Sequence, residues 1–356
     1  MTKSRRDELS CLNIIFCLMV IFVHSASVTV NAMDKTSALY ALMLTLWRMC
    51  PCAVQGFIFL AGVKLALSAD KPLDYPKYIL KRILRVWVPY ALASVVYFVY
   101  LAHIGYLTPS TELLIRGIAF SEITGHLYFV VAIMQFYLLA PLWRAVARRF
   151  DRAEVVVGAL IVSYFISQLL GYNLADFLYL FNQSYVFPYC DRIFTTYLPF
   201  FVAGLAVGRS YEYIKSAASR ALLPASIVFA AALFFDALLG YFSSTGRAYV
   251  YWLEVAHTFY AIAAVCFLYT VSVRIGPWVM RIPIMKYIDR ASYSIYLWHP
   301  LALYVCDRVI APYSLSMKSV FLIRQLFGYA VTITLCALFA FGIGRLRPCR
   351  KIKKEN

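Results

Sequence analysis

Apolar residues run along this chain in long blocks. Each block is about 17 to 25 residues, the length that carries an α-helix across a bilayer. Ten blocks are expected to form transmembrane helices, at residues 10–30, 38–68, 86–106, 125–143, 154–172, 193–209, 221–241, 249–273, 290–311 and 319–344. Pro51 falls inside the second, which should kink there. Arg48 beside it needs a partner or an aqueous cavity. No connecting segment exceeds about 25 residues, too short for a separate folded unit. Residues 1–356 are therefore expected to be one all-α, polytopic membrane domain of about ten helices in a single bundle, with a basic cytoplasmic tail at 346–356. The longest outer segments are 102–124 and 172–192. The second is rich in Tyr, Phe, Asn and Asp, chemistry that suits either a membrane interface or a sugar ring. No internal repeat is evident.

Composition agrees with the blocks: 63% of the 356 residues are apolar, 14% are charged, and the mean hydropathy is +0.73. The net charge of +17 invites a nucleic-acid reading until the positions of the charges are considered. Alternate connections hold Lys3, Arg5 and Arg6, then Lys71 to Arg85, then Arg144 to Arg152, then Arg209 to Arg220, then Arg274 to Arg290. The other connections hold only scattered cations such as Lys35, Arg116 and Arg192. This asymmetry places both termini in the cytoplasm, in a multi-pass protein of the plasma (inner) membrane, and accounts for the charge without nucleic acid. The nine cysteines show no zinc or redox spacing, and no metal is expected. The N-terminal basic residues and apolar run imitate a secretory signal, but the run is too long for one and cleavage is not expected.

Chemistry enters with the few ionisable groups inside the blocks. His24 is the single one in the first, roughly 20 Å into a core about 30 Å thick. It serves either as a packing hydrogen bond or as a functional group. His257 lies at a similar depth, about 10 Å below the outer face, with Glu254 one turn before it. His126 opens the fourth block and His299 sits in the ninth. Together they form either a polar cavity in the outer half or a structural network. On the opposite face Lys81, Arg82 and Arg85, following Lys77 and preceding Pro89, make a basic stripe. It suits either the phosphates of a nucleotide-like cofactor or anionic lipid.

Five stretches, taken in order, carry a resemblance. They are the first block ending in His24; Phe57-Ile-Phe-Leu-Ala-Gly62; Lys81-Arg82-Ile-Leu-Arg85 before Pro89; Gly125-His126-Leu-Tyr128-Phe129 running to Tyr137 and Pro141; and Ala291-Ser-Tyr-Ser-Ile-Tyr-Leu-Trp-His299-Pro300. Spread over nearly the whole chain, they resemble the motif series of the membrane acyltransferase type 3 family. The resemblance implies a ten-helix O-acyltransferase that moves an acyl group, commonly acetyl from acetyl-CoA, onto hydroxyls of extracytoplasmic acceptors. It makes His24 the catalytic histidine, Arg82 and Arg85 candidates for acyl-CoA handling, and Tyr296 and His299 part of the ninth-helix signature. Two positions depart from the family's pattern: Asn13 stands where an arginine is usual, and Ala61 where a serine is common.

The expected donor is acetyl-CoA or another acyl-CoA, and the acceptor a cell-surface or lipid-linked glycan. Membrane lipid and a second copy of the chain are the other expected partners. Imidazole has the basicity to take a proton from a sugar hydroxyl near pH 7, while Tyr296, His126 or His299 could stabilise the oxyanion. The competing expectation is a transporter or flippase of the same fold that uses the polar cavity around His24.

Overall fold

The computed structural model describes residues 6–183, 187–248 and 253–338. The tail at 346–356 lies outside the described residues. All regular structure within them is helical. The helices are α1 (Asp7–Ala32), α2 (Ala38–Met49), α3 (Cys52–Ala66), α4 (Tyr75–Arg82), α5 (Val88–His103), α6 (Thr111–Phe120), α7 (Tyr128–Leu138) and α8 (Ala140–Arg148). They continue with α9 (Ala153–Ser167), α10 (Leu174–Phe181), α11 (Leu198–Arg209), α12 (Tyr211–Arg220), α13 (Leu222–Ser244), α14 (Leu253–Val279), α15 (Pro283–Ile310) and α16 (Met317–Leu326).

Among the described residues, eight helical stretches are long and apolar enough to cross a membrane. They match eight of the expected blocks. The sixth and ninth blocks correspond to α11 and α15. α11 has only 12 residues and is continued upstream by a short turn; α15 has 28 but carries Lys286, Asp289 and Arg290 near its start. The protein is an all-α polytopic membrane bundle. Large apolar side chains such as Leu92, Val99, Phe165 and Leu223 stand exposed around its outside, as a lipid-facing belt requires.

The second block breaks at Cys50–Pro51, as the proline predicts. Three helices fall where connections were expected: α6, α10 and α12. α6 begins where Ser110 accepts the Leu113 N–H at 3.0 Å, a side-chain cap of the usual kind. The third block starts earlier than its apolar run, because Asp74 caps α4 through the Lys77 N–H at 3.2 Å.

α1 runs through the middle of the bundle against α3, α14, α15 and α16. The tightest pairing is α3 with α11, where glycines let backbones touch. A Cβ on Gly62 would lie 2.3 Å from the Phe201 carbonyl oxygen, and one on Gly204 would lie 2.2 Å from that of Phe59. At the end of the bundle that carries the start of α1, Glu8 pairs with Lys215 at 2.8 Å, and Arg209 with Asp70 and Asp151 at 2.8 Å each. Arg144 donates to the carbonyls of Ser68 and Ala69. The connections rich in cations thus converge on one face, called the basic face below.

Candidate active site

α15 carries a proline, Pro300, in its interior. Pro300 has no N–H to give the Tyr296 carbonyl four residues earlier, and the His299 ring supplies one instead, with Nδ1 at 2.9 Å from that carbonyl and 3.1 Å from that of Ile295. The Tyr97 hydroxyl bridges the next carbonyl and N–H of the helix, donating to the Leu297 carbonyl at 2.9 Å and accepting the Leu301 N–H at 3.0 Å. Two carbonyl partners require Nδ1 of His299 to carry the proton, so in the neutral ring Nε2 bears the lone pair. That Nε2 is buried with no hydrogen-bond partner.

His126 sits on a 3-10 turn, Gly125–Leu127. Its Nε2 is likewise buried and without a hydrogen-bond partner. The Tyr296 hydroxyl donates to the His126 carbonyl. His24 completes a triangle with these two rings. Centroid distances are 5.1 Å from His24 to His299, 6.0 Å from His24 to His126 and 5.6 Å from His126 to His299. His126 is 6% and His299 0% exposed, whereas His24 is only partly buried. α1 is fixed at this point by Arg324, buried on α16. It donates to the carbonyls of His24 at 2.9 Å and Ser25 at 3.0 Å and pairs with Asp307.

A cavity of about 240 Å³ lies on the basic-face side of the triangle. Asn13, Phe57, Lys64, Arg85, Tyr137 and Tyr296 are among the residues lining it, and the Tyr296 ring is 5.9 Å from that of His126. Lys64 also lines a wider vestibule of about 1030 Å³ with Arg6, Lys71 and Lys215. The expected basic stripe divides here. Pro89 cannot donate to the preceding turn, and the chain widens into a π-helical turn at Ile83–Trp87, as prolines often impose. Arg85 faces the cavity. Arg82 lies 4.3 Å from the centre of the Tyr137 ring and 5.0 Å from that of Tyr78, while Lys81 is exposed and lines neither cavity. Asn13 donates to the Asp289 carboxylate at 2.8 Å and to Ser292 at 3.0 Å.

A family model described as an acyltransferase domain matches residues 6–341. The chain belongs to the membrane acyltransferase type 3 family. No curated protein and no solved structure matches it. Family membership and the helical bundle make this a membrane-embedded acyltransferase, and the family points to an acyl-CoA-like donor in general.

Of the residues singled out in this acyltransferase's sequence, the structure brings His24, His126, His299 and Tyr296 together. His257 stands apart from that triangle: Nδ1 is 3.1 Å from the Asp236 carboxylate, which also holds Arg48 through contacts of 2.8 and 3.1 Å. Equal depth in the membrane did not mean adjacency, because His257 is on α14 and turned toward α13. The side chain of Glu254 lies outside the described residues. Among the described residues, no group of three or more His, Cys, Asp and Glu side chains could hold a metal ion.

Three ionisable groups escaped the sequence reading as site residues: Asp236, Arg324 and Lys64. Each lies within an expected apolar block, and that position alone was a signal. Asp236 and Gly240 are the buried residues of α13, and both face Arg48; a Cβ on Gly240 would lie 2.4 Å from its Nε.

Proposed function

We propose that this protein is an integral-membrane O-acyltransferase that moves an acyl group, acetyl in the first instance, from acyl-CoA to a hydroxyl of a cell-surface or lipid-linked glycan. The observation that carries the proposal is a triangle of imidazoles beside Tyr296, which lines a cavity that also holds the cations Lys64 and Arg85. Both termini and the basic face are on the cytoplasmic side of the plasma membrane. The nucleotide end of the donor occupies the wider vestibule, with its phosphates near Lys64 and Arg85. The linear thioester arm runs along the 240 Å³ cavity toward Tyr296.

His24 is the base, since it is the least enclosed of the three rings. As the acceptor hydroxyl oxygen attacks the thioester carbonyl, His24 takes the hydroxyl proton. The tetrahedral intermediate then collapses, the C–S bond breaks, and the proton passes from His24 to the departing CoA sulfur. The neutral His299 ring presents an Nε2 lone pair, and His126 an unpartnered Nε2, to accept that proton. They hold and share the proton taken by His24 rather than donating to an oxyanion.

The test is acyl-CoA consumption with a panel of glycans, comparing wild type with His24→Gln. Turnover should fall at least about a hundredfold, the usual contribution of a general base, while acyl-CoA binding persists. A folded His24→Gln protein that acylates at the wild-type rate removes His24 from the chemistry. A wild type that consumes no thioester but moves substrate in proteoliposomes is a carrier of the same fold.

A further inference from the structure

A second cavity, of about 410 Å³, lies on the other side of the imidazole triangle from the basic face. Trp47, part of its wall, donates to the Val23 carbonyl at 2.8 Å, one residue from His24. Tyr128, two residues after His126, is also in the wall. The cavity is thus tied to two of the three segments that carry the triangle, α1 through Trp47 and the 125–127 turn through Tyr128.

We propose that this cavity is the acceptor subsite and that it takes an uncharged sugar ring, with Gln55 and His257 as its hydroxyl-reading groups. This rests on the O-acyltransferase reading above. Gln55 lines the cavity, is 7% exposed, and its Oε1 has no hydrogen-bond partner. A buried amide oxygen without a donor costs free energy until a ligand supplies one. His257 lines the same cavity, and its Nδ1 faces the Asp236 carboxylate at 3.1 Å. That contact fixes the proton on Nδ1 and leaves Nε2 as an acceptor in the neutral ring. The Gln55 amide, which can turn either its oxygen or its NH2 to a ligand, and the His257 acceptor, set among Trp47, Tyr128 and Tyr197, match a polyhydroxylated ring, which offers O–H groups at its edge and C–H faces to the aromatics.

Charge argues for an uncharged ligand. Arg48, the cation in this wall, is neutralised by a two-point contact with Asp236 at 2.8 and 3.1 Å. Asp191, also in the wall, pairs with Arg192 at 2.8 Å. Among the described residues of the wall, no lysine or arginine is left without a carboxylate partner to meet a phosphate or carboxylate, which such ligands require when desolvated.

Cys190 lines the cavity and is only partly buried, so it can report occupancy. The full chain in detergent, with Cys266 and Cys349 replaced by serine, is alkylated with a maleimide at mildly alkaline pH, because burial pushes the Cys190 thiol up. Short neutral oligosaccharides of glucose, galactose, mannose or N-acetylglucosamine are added as protectants, with oligogalacturonate as the acidic counterpart. At least one neutral oligosaccharide should slow alkylation, and oligogalacturonate should not. Gln55→Leu and His257→Gln should each raise the half-protecting concentration about tenfold, the scale of one lost hydrogen bond to a buried group.

The inference is overturned if no neutral oligosaccharide protects, if the acidic one protects equally, or if both folded variants behave as wild type. No acyl-CoA is present in this assay. Protection without any thioester consumption in the turnover assay would defeat the transferase reading and leave a glycan pocket; turnover without protection would defeat the pocket alone.

Discussion

Replacing Pro300 with alanine should separate the stability of α15 from its service to the site. Alanine restores the N–H that the Tyr296 carbonyl lacks, and the turn can then close on itself. Leu301 would return to the Leu297 carbonyl and expel the Tyr97 hydroxyl, which now bridges them at 2.9 and 3.0 Å. In a helix interior alanine is favoured over proline by about 3 kcal/mol. Stranding a buried tyrosine hydroxyl takes back about 1 to 3 kcal/mol, so the variant should be as stable as wild type or slightly more so. The site loses by the same change. His299 Nδ1 gives up its 2.9 Å partner and keeps only the Ile295 carbonyl at 3.1 Å. One neutral hydrogen bond is worth about 0.5 to 1.5 kcal/mol, which lowers the preference for the Nδ1–H tautomer by up to about tenfold. Single-turnover acyl transfer should therefore slow by about three- to tenfold while the unfolding temperature holds or rises. Spectra of 15N-labelled histidine should show protons appearing on Nε2 of His299. A variant that keeps its tautomer and its rate would refute the claim that Pro300 orients this ring; a loss beyond about a hundredfold would mean that the ring itself had moved.

The remaining predictions concern the donor path and the helix seam. Lys64→Gln combined with Arg85→Gln should raise the KM for acyl-CoA about tenfold or more, with kcat less affected, because phosphate docking is ground-state binding. Lys81→Gln should leave that KM within about twofold, since an exposed lysine outside both cavities contributes little; an equal effect of the two changes would put the donor on the surface stripe. Gly204→Val must part α3 from α11, since even a Cβ there would lie 2.2 Å from a backbone oxygen, and should lower the unfolding temperature in detergent by the equivalent of about 3 kcal/mol or more. Gly158→Ala in α9, where a Cβ meets nothing within 4 Å, should stabilise by up to about 1 kcal/mol.

The helices were legible because a bilayer imposes one length and one polarity on every crossing, and the break at Pro51 because proline cannot donate. α6 and α12 were harder, since short amphipathic helices lack the uniform apolar run. The π-helical turn before Pro89 was visible only as a proline, and it changes the register of Arg85 relative to Lys81 and Arg82. Depth along a helix could be counted from the sequence, but rotation about it and the identity of neighbours could not. That is why depth groups all four histidines, whereas in the structure His24, His126 and His299 lie together and His257 lies against Asp236. The lone carboxylate of α13 was the overlooked sign, for an aspartate in an otherwise apolar crossing demands a buried cation, and Arg48 had already been seen to need a partner.

The placement of positive charge on the donor side follows from the same accounting. At position 13, where the family usually carries arginine, this chain has an asparagine that spends its amide on Asp289 and Ser292. It adds no charge to the cavity it lines. Lys64, in α3, is exposed although most of its helix is buried, and it faces both the vestibule and the narrow cavity. No carboxylate lies within ion-pair distance of it among the described residues. A cation held in an apolar helix without a counter-charge is costly unless water or an anion reaches it. The vestibule admits water, and an acyl-CoA phosphate would supply the anion. In the proposed reading the donor's charge partners come from α3 and from Arg85, and Asn13 contributes none.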